Sequence, residues 1–213
     1  MKLYSYWRST AAYRVRIAIN IKQLDCEVVP VHLVKDGGEQ LKEEYKNINP
    51  QGLVPSFVTD EGDVLTQSSA IIDYLDEVYP QNSLYPQSAI HKAQAKAMAL
   101  TIACDIHPLN NLRVLKYLKS KDWQQSQVDK WYAHWIHEGF TAIEKQLENS
   151  AGQFCFGDEV SVADIFLVAQ VYNANRFKVD LSDYPLIIAI NDKCLQLQSF
   201  IDAMPENQID CDL

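Results

Sequence analysis

A chain of 213 residues with a formal charge of −9 is a poor default partner for nucleic acid, and an anionic ligand would need a local basic pocket. A hydrophobic fraction of 47% suffices for one large core or two small ones, and 22% charged residues is ordinary for a soluble protein. No apolar run approaches the roughly 20 residues of a membrane span, the opening MKLYSYWRST has no signal-peptide stretch, and five cysteines without a CxxC pair point to free thiols in the cytoplasm.

Residues 2–6 read as a short strand, residues 8–12 as a turn, and residues 13–21 as a helix with Val15, Ile17, Ala18, Ile19 and Ile21 inward and Arg14 and Arg16 outward. Residues 27–33 read as a second strand, which Pro30 places at a sheet edge. A turn at 36–38 and a short helix over 39–45 come next. Residues 49–75, NPQGLVPSFVTDEGDVLTQSSAIIDYL, read as strand, turn, strand and helix, with Ser68 or Ser69 as the helix N-cap. The order over residues 1–80 is β-α-β-α-β-β-α, the thioredoxin-like pattern of a small mixed sheet with helices on its faces. It lacks the redox CxxC; the turn is Arg8-Ser9-Thr10-Ala11-Ala12 instead.

Residues 81–87 form a linker rich in turn residues, and residues 88–213 read as an all-helical domain. A long helix over 89–117 breaks at His107-Pro108. A second runs over 124–148 with Trp131, Trp135 and Phe140. Ser161 and Asp164 form a capping box for an apolar helix over 165–175. The last helix spans 184–203, and the acidic tail after Met204 is expected to fray.

The chemistry concentrates in a few places. Ser9 sits between the first strand and the first helix, where a hydroxyl donor and a helix N-terminus can both stabilise a thiolate; a plain helix cap is the alternative. A cis Val54-Pro55 bond would leave the Val54 backbone facing outward. With the helix start at Gln67-Ser68, it describes a site for a small acidic peptide. The run 104–111, CDIHPLNN, puts a polar cluster in a helix expected to be buried. Arg8, Arg113 and Arg176 suit carboxylates through bidentate pairing. His134 and His137 read as ordinary surface or core residues, and no metal site is expected.

Residues 6–19, YWRSTAAYRVRIAI, together with the Val-Pro and Gln-Ser spacing of 49–75, resemble the zeta-class glutathione transferases, and the likeness runs from Lys2 to about Pro205. The signature is a Ser-Ser-Cys run before an aromatic residue and Arg-Val-Arg; Ser9 keeps the first serine, Thr10 replaces the second, and Ala11 replaces the cysteine. The resemblance implies glutathione between a thioredoxin-like and an all-helical domain. It implies Ser9 as activating residue, with Thr10 sharing or supporting that role. Gln67 and Ser68 would take the γ-glutamyl carboxylate, Val54 the cysteinyl backbone and Gln40 the glycyl end. Asp105, His107 and Asn111 would face glutathione from the second domain. Arg8, Arg176 and Arg113 would bind a dicarboxylate substrate. A homodimer is implied too, as is cis–trans isomerisation of maleylacetoacetate, a step of aromatic amino-acid catabolism, or of maleylpyruvate. Conjugation of haloacids or other electrophiles, and a non-catalytic binding module, are the competing readings.

Overall fold

The computed structural model describes residues 1–212. Contacts divide the chain into two compact units: Met1–Ser83 with the segment from Gln196 onward, and Leu84–Leu195.

In the first unit, β1 (Lys2–Ser5), β2 (Glu27–Pro30), β3 (Ser56–Val58) and β4 (Val64–Thr66) form one sheet in the order β2-β1-β3-β4. The β1–β2 pair is parallel, and the β1–β3 and β3–β4 pairs are antiparallel. The proline strand lies at the edge, where a missing N–H costs no ladder bond. Helix α1 (Thr10–Lys22) connects β1 to β2, short α2 (Glu43–Lys46) precedes β3, and α3 (Ser68–Val78) comes after β4. The expected architecture is therefore borne out, with local corrections. The helix expected over 39–45 is split into a 3₁₀ turn at 39–41 and α2, and a further 3₁₀ turn covers 35–37.

Arg14 and Arg16 do not point outward; both are buried in α1. The Arg16 guanidinium donates to Ser5 Oγ (3.1 Å), Trp7 O (3.1 Å) and Ala203 O (3.1 Å), with a longer contact to Tyr6 O. Lys22 at the other end is equally buried. Its ammonium meets Asp76 Oδ1 at 2.5 Å, Tyr79 O at 2.8 Å and Gln81 O at 3.1 Å, tying α1 to the end of α3. Buried charge is tolerable only when its donors are matched in this way.

The last expected helix is two: α8 (Pro185–Cys194) in the second unit and α9 (Gln198–Ala203) in the first. Residues 205–212 are not frayed. The Gln208 amide donates to Met204 O, Trp7 N–H donates to Asp210, and Cys211 packs against a core cluster containing Tyr6, Trp7, Val31, Tyr45 and Val54.

The second unit holds α4 (Ala89–Leu100), α5 (Leu112–Lys119), α6 (Gln125–Ser150), α7 (Val162–Arg176) and α8. The capping box is present: Asp164 takes the Ser161 N–H and hydroxyl, each at 2.8 Å, and also the Cys155 N–H. Burial pushes the Asp164 carboxyl above its ordinary range, while the Cys155 and Ser161 N–H groups pull it back. A π-helical turn at Thr101–Ile106 continues α4 and packs against α6 and α7. It precedes the predicted break at Pro108. Such turns insert one residue into the helical ladder and re-aim the next side chains.

Gly139 of α6 makes room for this turn. A Cβ there would sit inside the contact distance of Ile106 Cγ1 and Cδ1. Gly139→Ala gains helix propensity, up to about 1 kcal/mol, but overpacks a buried contact at roughly 1–3 kcal/mol. The expected net loss in a denaturant titration is about 1 kcal/mol; unchanged or increased stability would contradict this packing.

Candidate active site

Strand register gathers the predicted residues of the first unit at one end of the sheet. Tyr4 lies opposite Ser56, Ser56 opposite Thr66, and Ser5 opposite Pro30. The chain leaving β1 leads to Arg8, Ser9 and Thr10; the chain leaving β2 leads to Gln40. The chain entering β3 brings Val54, and the chain leaving β4 brings Gln67 and Ser68. Neighbouring strands are about 4.8 Å apart, so these four segments share an edge roughly 14 Å wide.

Ser9 is the N-cap of α1, and its Oγ accepts from the Ala12 N–H at 3.2 Å. The capping alternative is thus realised, yet it leaves the function open: a hydroxyl that accepts one hydrogen bond still has its own proton to donate. Ser9 is half-buried, whereas Thr10 is buried inside the first turn.

The Val54–Pro55 bond is cis, as expected. Among the described residues, nothing accepts the Val54 N–H or donates to its carbonyl. The helix start differs from the expectation. Neither Ser68 nor Ser69 caps α3; the cap position is Gln67, and no side chain closes the helix there. Gln67 is held at φ 68°, ψ 116°, a sparsely populated region for a non-glycine residue that costs on the order of 1–3 kcal/mol. Its exposed amide reaches Gln51 Oε1 at 3.2 Å. Ser68 Oγ instead faces the buried Arg14 guanidinium at 3.4 Å. An uncapped helix N-terminus with a cation behind it suits a carboxylate.

Gln40 is buried. Its amide donates to Leu33 O at 3.4 Å, and its Oε1 has no partner among the described residues. Two glycines allow this placement. Gly38, at φ +106°, lies beneath the amide, where a Cβ would come within 2.6 Å of both terminal atoms; Gly52, at φ +62°, backs onto Gln40 O.

In the second unit, Asp105 is exposed on the π turn, and the His107 N–H closes that turn on Ile102 O at 2.9 Å. Asn111 is the N-cap of α5, accepting from the Arg113 N–H at 3.1 Å, and Arg113 is exposed in the first turn of that helix. Arg176 ends α7, where the helix dipole favours a cation, and its guanidinium lies 4.8 Å over the Phe177 ring. Tyr132 stacks on the same Phe177 ring at 3.7 Å; burial pushes its hydroxyl well up, against the opposing effect of Arg176. No cluster of three or more His, Cys, Asp or Glu side chains is arranged for a metal ion among the described residues.

Sequence reasoning missed Arg14, Arg16, Asp210 and Asp212 as neighbours of this edge. An arginine in a helix and an aspartate in a tail carry no local signal of burial or docking; only the tertiary placement of α9 supplies it.

Family models for the glutathione S-transferase N-terminal domain and C-terminal domain match residues 3–83 and 109–204. The chain belongs to the glutathione S-transferase family. A probable maleylacetoacetate isomerase of Vibrio cholerae is 49% identical over 209 residues, covering 98% of this chain and 97% of that protein. A holo maleylpyruvate isomerase, described as a zeta-class bacterial glutathione S-transferase, superposes with a TM-score of 0.94 at 43% identity, covering 99% of each chain. A maleylacetoacetate isomerase from Methylobacterium extorquens AM1 with bound malonate and GSH superposes with a TM-score of 0.95 at 36% identity, covering all of both chains. The resemblance carried by residues 6–19 and 49–75 is borne out.

The cap role of Ser9 and a candidate donor role can be separated by substitution. Ser9→Ala removes both functions and is expected to lower stability by about 0.5–2 kcal/mol, whereas Ser9→Gly costs only a few tenths as a cap. In this glutathione S-transferase both variants are expected to lose turnover to the same extent. Full turnover in Ser9→Gly would leave Ser9 with the cap alone.

Proposed function

We propose that this glutathione S-transferase is a zeta-class, glutathione-dependent cis–trans isomerase of a maleyl dicarboxylate. The observation that carries the reading is the convergence, at one sheet end, of a half-buried serine hydroxyl, an unpaired Val54 backbone and an uncapped helix N-terminus at Gln67-Ser68. These fit a thiol tripeptide: Val54 offers a backbone donor and acceptor to its central residue, Gln67 and Ser68 take one carboxylate, and Gln40 offers an unsatisfied buried oxygen towards the other end. The relatives named above act on maleylacetoacetate or maleylpyruvate by name, and both remain substrate candidates here.

When bound, glutathione supplies a thiolate, the reversible nucleophile that opens a conjugated cis double bond to rotation and is released unchanged. Ser9 donates its hydroxyl proton to that sulfur, favouring the ionised form of a thiol whose free value is about 8.5. Thr10 is buried in the helix turn and supports the cap geometry. Arg8 and Arg176, with Arg113, grip the substrate carboxylates and stabilise the negative charge that builds on the substrate during addition. The family resemblance adds Asp105, His107 and Asn111 as further candidate glutathione residues. The enzyme works in the cytoplasm as a homodimer on this reading, which the family resemblance supports.

The test compares purified maleylacetoacetate and maleylpyruvate side by side, monitored by loss of the cis-enol absorbance. Conversion of one or both supports the reading; inactivity on both, with conjugation of a haloacid instead, overturns it.

Arg176 gives a sharper prediction. A charge-assisted hydrogen bond contributes about 1.5–3 kcal/mol, so Arg176→Ala is expected to lower kcat/KM for the maleyl substrate by roughly tenfold to a hundredfold. Conjugation of a neutral electrophile is expected to change little, and Arg176→Lys to rescue in part, because lysine lacks the planar fork. Equal losses on both substrates would make Arg176 structural.

A further inference from the structure

The docked C-terminal segment brings Asp212 to Arg8, the candidate substrate cation of the first unit. Asp212 Oδ1 lies 3.5 Å from Arg8 Nη2, and Asp212 Oδ2 lies 3.4 Å from His32 Nε2. His32 has a fixed tautomer. Its Nδ1 accepts the N–H groups of Val34 (3.1 Å) and Lys35 (2.9 Å), so the ring proton sits on Nε2 and points at Asp212. Two residues earlier, Asp210 holds the Trp7 N–H at 3.0 Å, and Cys211 between them packs on the core cluster. The segment is anchored independently of Arg8.

Arg8 itself is incompletely matched. Its guanidinium carbon lies 4.3 Å over the Trp7 ring, a cation–π contact. Its Nε is buried with no acceptor among the described residues, and its contact with Asp212 is a single long one. A planar five-donor group prefers two parallel bonds to one carboxylate. Asp212 supplies one oxygen to Arg8 and gives the other to His32. The position is that of a weak counter-ion, able to stay on His32 while a better carboxylate takes the fork.

We propose that Asp212 is a specificity-determining residue: a built-in carboxylate that occupies Arg8 and yields it to an anionic ligand. This rests on the role of Arg8 in substrate binding under the proposed function. The segment would neutralise Arg8 in the resting protein and set a threshold that only a carboxylate-bearing ligand passes, since a neutral electrophile gains nothing from displacing Asp212. The pair is about one-third exposed on each side, so solvent screens it and the effect is modest.

The experiment is calorimetric titration of the glutathione-loaded enzyme with malonate, an unreactive dicarboxylate. Removing the competing charge by Asp212→Asn is expected to tighten malonate about two- to fivefold, in line with an exposed ion pair, and to lower KM for the maleyl substrate by a similar factor with no rise in kcat. Asp212→Ser, which removes the same charge with a smaller side chain, is expected to do likewise. In an Arg8→Ala background neither substitution is expected to change malonate affinity. Unchanged or weaker malonate binding in Asp212→Asn, or a gain that persists without Arg8, overturns the proposal. Failure of the wild-type enzyme to isomerise any maleyl compound would instead overturn the functional reading, while an Arg8-dependent gain in malonate affinity would still support the role of Asp212.

Discussion

The buried guanidinium of Arg16 is the constraint on which the candidate active-site edge depends. It reaches from the middle of α1 to Ser5 Oγ at the end of β1, to the carbonyls of Tyr6 and Trp7 in the adjoining turn, and to Ala203 O in α9. A charge removed from water is held in place only if its donors are satisfied, and each hydrogen bond to a charged group contributes roughly 1.5–3 kcal/mol. The turn of residues 6–8 is therefore fixed from inside by Arg16 and from outside by Asp210, which takes the Trp7 N–H. The Ser9 N–H then closes onto Tyr6 O at 2.9 Å, and the Ser9 side chain caps the helix that carries Arg16. Helix, turn and hydroxyl are one unit, with α9 and the residues after it as its outer wall.

Much of this edge was legible in the sequence because its signals are local. Pro30 marked the edge strand, and Val-Pro and Gln-Ser marked the two turns; in the second unit, Ser161 with Asp164 three residues later marked a capping box in the same local way. The illegible parts depended on partners far along the chain. Arg14 and Arg16 look like the polar face of a helix, but α1 is covered on nearly all sides, so their charges are matched internally. The acidic residues after Met204 look like a solvated tail, but Asp210 and Asp212 meet the Trp7 N–H and Arg8 some two hundred residues away in sequence. The π turn at Thr101–Ile106 has no composition signal; its last residue, Ile106, fills the space over Gly139.

The turn that carries Ser9 has no cysteine of its own. The position of the family's signature cysteine is Ala11 here. Of the five thiols, Cys155 and Cys194 are buried and pushed strongly up by that burial, and Cys26 is pushed to about 11 for the same reason. Those three stay protonated at neutral pH and are poor nucleophiles. In an acidic protein the cations that face a dicarboxylate must act at short range, because distant charges are screened beyond about 8 Å at physiological salt. The three candidate arginines all sit at the ends of elements: Arg8 in a turn, Arg113 in the first turn of α5, and Arg176 at the last residue of α7.

If glutathione serves as a catalyst, it is returned at each turnover. The most direct test supplies glutathione at a small fraction of the maleyl substrate concentration and monitors both the trans product and free thiol to completion. Full conversion with the thiol titre unchanged is the expected result. Conversion that halts at the amount of glutathione supplied, with the thiol consumed, would contradict it and make the protein a conjugating transferase.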